Sequence, residues 1–304
     1  MDADDVQVSV LYPTVPGAGG QEFTRVSDRD LEVDCVRAYN DWLGDEWGRA
    51  SDRFVPQCLV PLGSVEATVA EIRRAVRIGH RGVLLPAIPT DFRDLPHIND
   101  PSWDPMWATC QELEVPICFH AGTSDRIQLA PHASYSGPLA DALRAMTAPV
   151  STAFVLVNFL LSRILLRHPR LQVVFAESGI AWAAYLLEYA DHQFEKDRLF
   201  TQGYDLKPSD MFRRQCYLTA CYEFASLDTR AFIGVDNILW ATNFPLATSP
   251  WPNTREFLAR WESRVPEEDR RKMLWSNAAG LYHIDVGRLG APPAQRVGSP
   301  APDS

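Results

Sequence analysis

The feature that most constrains this chain is a regular alternation of short, apolar, β-branched runs with longer stretches of helical periodicity. Seven runs read as strands: near 6–12 (VQVSVLY), 57–62 within FVPQCLVPL, 82–86 (GVLLP), 115–120 (VPICFH), 171–177 (LQVVFAE), 216–221 and 238–243 (ILWATN). Between them, Ser27–Trp47 repeats Leu31, Cys35, Tyr39 and Trp42–Leu43 on one helical face, with Ser27 or Asp28 as its cap. Ser64 opens a second helix through Val65, Val69, Ile72 and Val76, which Gly79 stops. Asp104–Leu113, Val150–Leu166, Ile180–Glu195, Leu227–Ile233, Thr254–Val265, Glu267–Trp275 and Asn277–Tyr282 are predicted helices. Strands alternating with helices imply parallel βαβ units, in an α/β fold that is either an open doubly wound sheet or a closed (β/α) barrel. No GxGxxG follows any strand, which argues against a dinucleotide site.

The 304 residues, 46% hydrophobic, are enough for one core, so residues 1–285 are expected to form a single domain. The Pro-, Gly- and Ser-rich segment 286–304 is expected to be a disordered tail. A formal net charge of −10 argues against nucleic acid or an anionic membrane as the main partner, because both repel an acidic protein. Ala153–Leu166 is the most apolar stretch, but Asn158, Ser162 and Arg163 interrupt it, so a buried helix is predicted rather than a membrane span. The six cysteines form no CxxC pair, and Cys58, Cys118 and Cys216 lie in apolar runs as small buried hydrophobes. With no signal peptide, a cytoplasmic protein with free thiols is expected. Pro16–Gln21 (PGAGGQ) lacks the Lys-Ser/Thr ending of a phosphate-binding loop and reads as a flexible connection.

In either α/β architecture, ligands bind at the carboxyl ends of the strands. Three apolar strands end there in polar residues: His120, Glu177 and Asn243. An imidazole and a carboxylate converging on a barrel mouth can hold a divalent metal, or can simply cap their strands. His97 and His132 fall in loops over the same face and are candidates for contact with a small-molecule substrate. His80 is expected at the surface beside Gly79, His168 at a helix stop, and His192 and His283 away from the site.

FHAGTS at 119–124, HPRLQVVFAESGIAW at 168–182, ILWATNFPLATSPWPNTREFLARW at 238–261 and the RRKMLWSNAAGLYHID ending resemble the amidohydrolase-related proteins. That branch of the (β/α)8 barrels includes the aminocarboxymuconate-semialdehyde decarboxylase-like enzymes. The resemblance runs from Met1 to about Asp285. It implies a TIM-type barrel with a mononuclear metal site, zinc or manganese, used for C–N or C–O hydrolysis or for nonoxidative decarboxylation of a small carboxylated or cyclic substrate. His120 matches a metal-binding histidine, and Glu177 opens an ExGxxW pattern that Trp182 closes as a packing residue.

Two departures stand out. The family's first strand carries an HxH-type pair, which is absent here, and MDADDVQVSVLYPT resembles the segment leading into the second strand. The resemblance therefore implies an incomplete barrel lacking the first βα unit, with an open seam that a homo-oligomer could cover. The last strand normally ends in SDYPH, but here it reads TNFPL, with Asn243 at the aspartate and Leu246 at the histidine. An amide cannot act as a general base near neutral pH. Two readings follow: a metal-dependent hydrolase or decarboxylase, or a metal-free barrel serving as a binding or interaction protein or as a lyase working through side chains alone.

Overall fold

The structure is a computed structural model, which describes residues 1–124, 137–246 and 248–289. All seven strands form: β1 Ser9–Leu11, β2 Phe54–Pro56, β3 Val83–Leu85, β4 Ile117–His120, β5 Val173–Ala176, β6 Cys216–Ala220 and β7 Ile238–Trp240. Every ladder is parallel; β1 pairs with β2, and β3 through β7 pair in chain order. A bridge between Cys58 and Val83 joins the two sheets into one curved succession. The architecture is an incomplete (β/α) barrel: among the described residues no ladder joins β7 to β1.

Alternation along each strand separates two cores, because successive side chains point to opposite faces. Val55, Leu84, Cys118, Val174 and Leu239 face inward, where Leu281 and Tyr282 join them from the C-terminal helix. Val83, Leu85, Ile117, Phe119, Val173, Phe175, Leu218 and Ile238 face the helices. Phe119 stacks on Phe175 at 6.2 Å and meets Phe159 edge-on at 5.5 Å, which locks β4 and β5 against the helical layer.

The helices are α1 Gln21–Thr24, α2 Arg29–Trp42, α3 Val65–Arg77, α4 Asp104–Glu112, α5 Pro138–Leu161, α6 Ile164–Arg167, α7 Ala181–Lys196, α8 Pro208–Gln215, α9 Arg230–Ile233, α10 Thr254–Ala259, α11 Glu267–Arg271 and α12 Asn277–Leu281. Asp28 caps α2 and Ser64 caps α3 through their side-chain oxygens, as expected. The buried face of α2 differs from expectation: Glu32, Val36 and Asn40 are buried, while Leu31 and Trp42 are exposed. The polar pair is satisfied at long range. Glu32 accepts from Leu62 N and Gly63 N and pairs with Arg93, and Asn40 bonds both Leu59 N and Leu59 O.

The β2 ladder spans Phe54–Pro56, ahead of the expected 57–62 core, and of that stretch only Cys58 bridges onward, to Val83. The expected helix Val150–Leu166 begins earlier and divides into α5 and α6 at Arg163, whose φ is +64°. With 24 residues, α5 is long and apolar enough to cross a membrane by length and composition, and a third of its most apolar window is buried. Val155, Leu156, Phe159 and Leu160 bury its inner face, while Leu139, Met146 and Phe154 are exposed. The Pro16–Gln21 connection is held in place: a Cβ at Gly19 would stand 2.7 Å from Leu85 O at the end of β3. His80 is buried, not at the surface, because its Nε2 meets Asn40 O at 2.9 Å. The tail from residue 290 lies outside the described residues.

Beside the open seam, the first residues brace the last helices. Buried Asp4 accepts from Thr254 N at 3.1 Å and from Thr254 Oγ1. Arg53 donates to Val6 O, Gln7 O and Asp2. A cavity of about 210 Å³, lined in part by Val6, Trp240, Leu258 and Leu274, lies on the outer side of β7.

Candidate active site at the barrel mouth

Strands β4 and β5 pair His120 with Ala176, so the next residue, Glu177, rises beside the imidazole. His120 is buried, and its Nδ1 donates to Ala121 O at 2.8 Å, because a carbonyl can only accept. That fixes the ring and leaves Nε2 facing Glu177 Oε1 at 3.3 Å. Burial pulls His120 toward its neutral form, but the hydrogen bond and charge of Glu177, with the Ala121 carbonyl, outweigh it and raise the pKa above the ordinary value. The Tyr12 ring lies 5.3 Å from the imidazole, tilted by 58°. Thr123 Oγ1 donates to His120 O and accepts from Ala87 N, tying the FHAGTS turn to the end of β3.

Glu177 sits at φ +50° and Asn243 at φ +57°, a left-handed region that few side chains other than Asn and Asp enter readily. The Glu177 turn is braced on three sides. Ser178 Oγ donates to Phe175 O, Trp182 Nε1 donates to Ser178 O, and Glu223 accepts from Ile180 N and Cys221 N. A Cβ at Gly179 would stand 2.7 Å from Glu223 Oε1, so the close approach needs glycine.

Asn243 closes the group. A carboxylate can only accept, so the amide turns its NH2 to Glu177, 3.2 Å from Oε2 and closer to Oε1. Its Oδ1 then accepts from Thr248 Oγ1 at 2.8 Å and from Tyr222 OH at 3.1 Å. The structure thus brings His120, Glu177 and Asn243 into one hydrogen-bonded chain. His97 is exposed, and its Nδ1 accepts from Asn99 N within its own loop. His132 lies outside the described residues. Tyr222, Thr248, Glu223 and Tyr12 were not singled out from sequence. Tyr222 and Glu223 lie just past Cys221 at the carboxyl end of β6, the kind of strand-end position that marks His120 and Glu177.

A family model for Amidohydrolase matches residues 11–284. The chain belongs to the amidohydrolase family. Among similar curated proteins, gamma-resorcylate decarboxylase from Rhizobium radiobacter is 24% identical over 308 residues, covering 94% of this chain and 85% of that protein. Among solved structures, an amidohydrolase from Mycobacterium avium subsp. paratuberculosis K-10 superposes with a TM-score of 0.76 at 25% identity, covering 94% of this chain and 72% of that one. A dihydroxybenzoic acid decarboxylase from Polaromonas sp. JS666, solved with manganese and the inhibitor 2-nitroresorcinol, superposes at 0.65 with 22% identity, covering 87% and 79%. The structural neighbours thus include a manganese-bound decarboxylase, and the fold they share with this chain is the one seen here.

Among the described residues, the donor set at this mouth falls short of a metal centre. Among the described residues, no group of three or more His, Cys, Asp or Glu is placed to hold a metal ion. One imidazole and one carboxylate fall short of the three protein ligands typical of catalytic zinc, and the third member of the chain presents N–H groups.

Proposed function

We propose that this chain is a nonoxidative decarboxylase acting on a small hydroxylated aromatic carboxylate. The observation that carries the reading is the His120–Glu177 pair, held rigidly at the barrel mouth and able to keep a proton between Nε2 and Oε1. The likeness to gamma-resorcylate decarboxylases over most of the chain supports it. In such a reaction the ring carbon bearing the carboxylate accepts a proton. The bond to the carboxylate carbon then breaks, its electron pair returns to the ring, and CO2 leaves. The His120–Glu177 pair supplies the proton and regains one from solvent; a positioned acid of this kind contributes on the order of 10²- to 10⁴-fold. Tyr222 and Thr248 place hydroxyls beside the pair, where phenolic oxygens of a substrate can bond.

The test is product analysis with 2,6-dihydroxybenzoate, unsubstituted benzoate and a small aromatic lactone. Resorcinol and CO2 from the first alone are expected. Ring opening of the lactone without CO2 release would replace the reading with a hydrolase. The amide at position 243 favours a second reading, a binding barrel that holds such an acid without turning it over. Saturable binding with every substrate recovered intact would establish that reading instead.

A further inference from the structure

We infer that Asn243 is the residue that keeps a divalent metal out of this mouth, and that its amide takes the place a cation would occupy between Glu177 and its neighbours. The inference deepens the decarboxylase reading and rests on it only for the site's location. Glu177 Oε1 is shared by His120 Nε2 and the Asn243 amide nitrogen, and Oε2 is within 3.2 Å of the same nitrogen. A cation held by this carboxylate would meet amide hydrogens, which repel it.

The Glu177 carboxylate decides which way the amide faces. Rotating the amide would aim Oδ1 at Glu177, acceptor against acceptor, whereas the Thr248 and Tyr222 hydroxyls, which both donate and accept, pair with either end of the amide. The backbone holds the side chain in place, because φ of +57° fixes where Cβ projects. Glu177 therefore selects the orientation, and that orientation is the one hostile to a cation.

An aspartate at 243 reverses each element of this arrangement. It tolerates the same left-handed backbone, so the turn is preserved. It still accepts from Thr248 and Tyr222. It places a second carboxylate against Glu177, and two facing carboxylates beside an imidazole repel one another until a cation joins them.

The experiment loads the full chain with Mn2+ and, separately, Zn2+, removes free ion by dialysis, and measures bound metal by elemental analysis and affinity by titration calorimetry. Wild type is expected to retain no stoichiometric metal. Asn243→Asp is expected to retain one ion per chain, with affinity raised on the order of 100-fold or more, the scale that even outer-shell ligand partners reach. Adding His120→Ala to Asn243→Asp should abolish that binding. One ion per wild-type chain, lost on His120→Ala alone, would overturn the inference. So would an Asn243→Asp protein, folded by circular dichroism, that binds no more metal than wild type. Metal is counted without substrate, so an absence of turnover would sink the decarboxylase reading and leave this result unaffected.

Discussion

His120 Nε2 stands 3.3 Å from Glu177 Oε1 across neighbouring strands, with the opposite face of the imidazole tied to its own turn through Ala121 O. The pair lies where β4 and β5 end in register, so the sheet itself sets the distance. The raised His120 pKa follows from this contact. Protonation of His120 therefore favours the folded state below the unfolded value of about 6.5, and that contribution is lost as pH rises through the folded value.

A ¹H–¹⁵N titration of the histidine side chains should find His120 titrating above the ordinary histidine range. In Glu177→Gln the charge is gone and burial prevails, so the value should drop below that of wild type. An unchanged value in Glu177→Gln would show that the two side chains do not meet in solution.

Glu223 holds the Glu177 turn by accepting from Ile180 N and Cys221 N. Glu223→Ala strips both backbone donors of their partner and should cost about 2 kcal/mol, the scale of charge-assisted hydrogen bonds. Glu223→Gln keeps one amide oxygen as acceptor and should lose less. Urea denaturation of the two variants against wild type checks the order. Gly179→Ala, which forces a methyl toward Glu223 at φ +65°, should cost about 1–3 kcal/mol in the same assay.

Asp4 links the first turn to α10 across nearly the whole chain. Asp4→Asn keeps an acceptor for Thr254 N, whereas Asp4→Ala leaves that buried donor unpaired at a cost of about 1–3 kcal/mol. Hydrogen exchange should quicken in Thr254–Ala259 for Asp4→Ala and remain close to wild type for Asp4→Asn. Equal protection in all three proteins would mean that the seam is held by other contacts.

Much of this arrangement could be read from the chain. Apolar strands are short, continuous and bounded by turns, so all seven were legible, and a polar residue closing such a strand stood out at His120 and Glu177. Less could be read where burial depends on a distant partner. Glu32, Asn40 and His80 look like surface residues locally, yet each is buried because Leu62, Leu59 or the α2 backbone supplies its hydrogen bond. Helix α5 starts at Pro138, well before the expected Val150, and carries Pro149 inside it. The role of Asn243 also had to await the structure. Its position was visible, but the orientation of its amide is set by the Glu177 carboxylate.

The most direct test of the central claim is the fate of 2,6-dihydroxybenzoate in D2O with purified wild type, with and without a metal chelator. The expected result is resorcinol carrying one deuterium at the former carboxylate carbon, at a rate the chelator does not change. His120→Ala should slow that rate by on the order of 10²- to 10⁴-fold. Full recovery of the acid, or turnover that His120→Ala leaves untouched, would contradict the account.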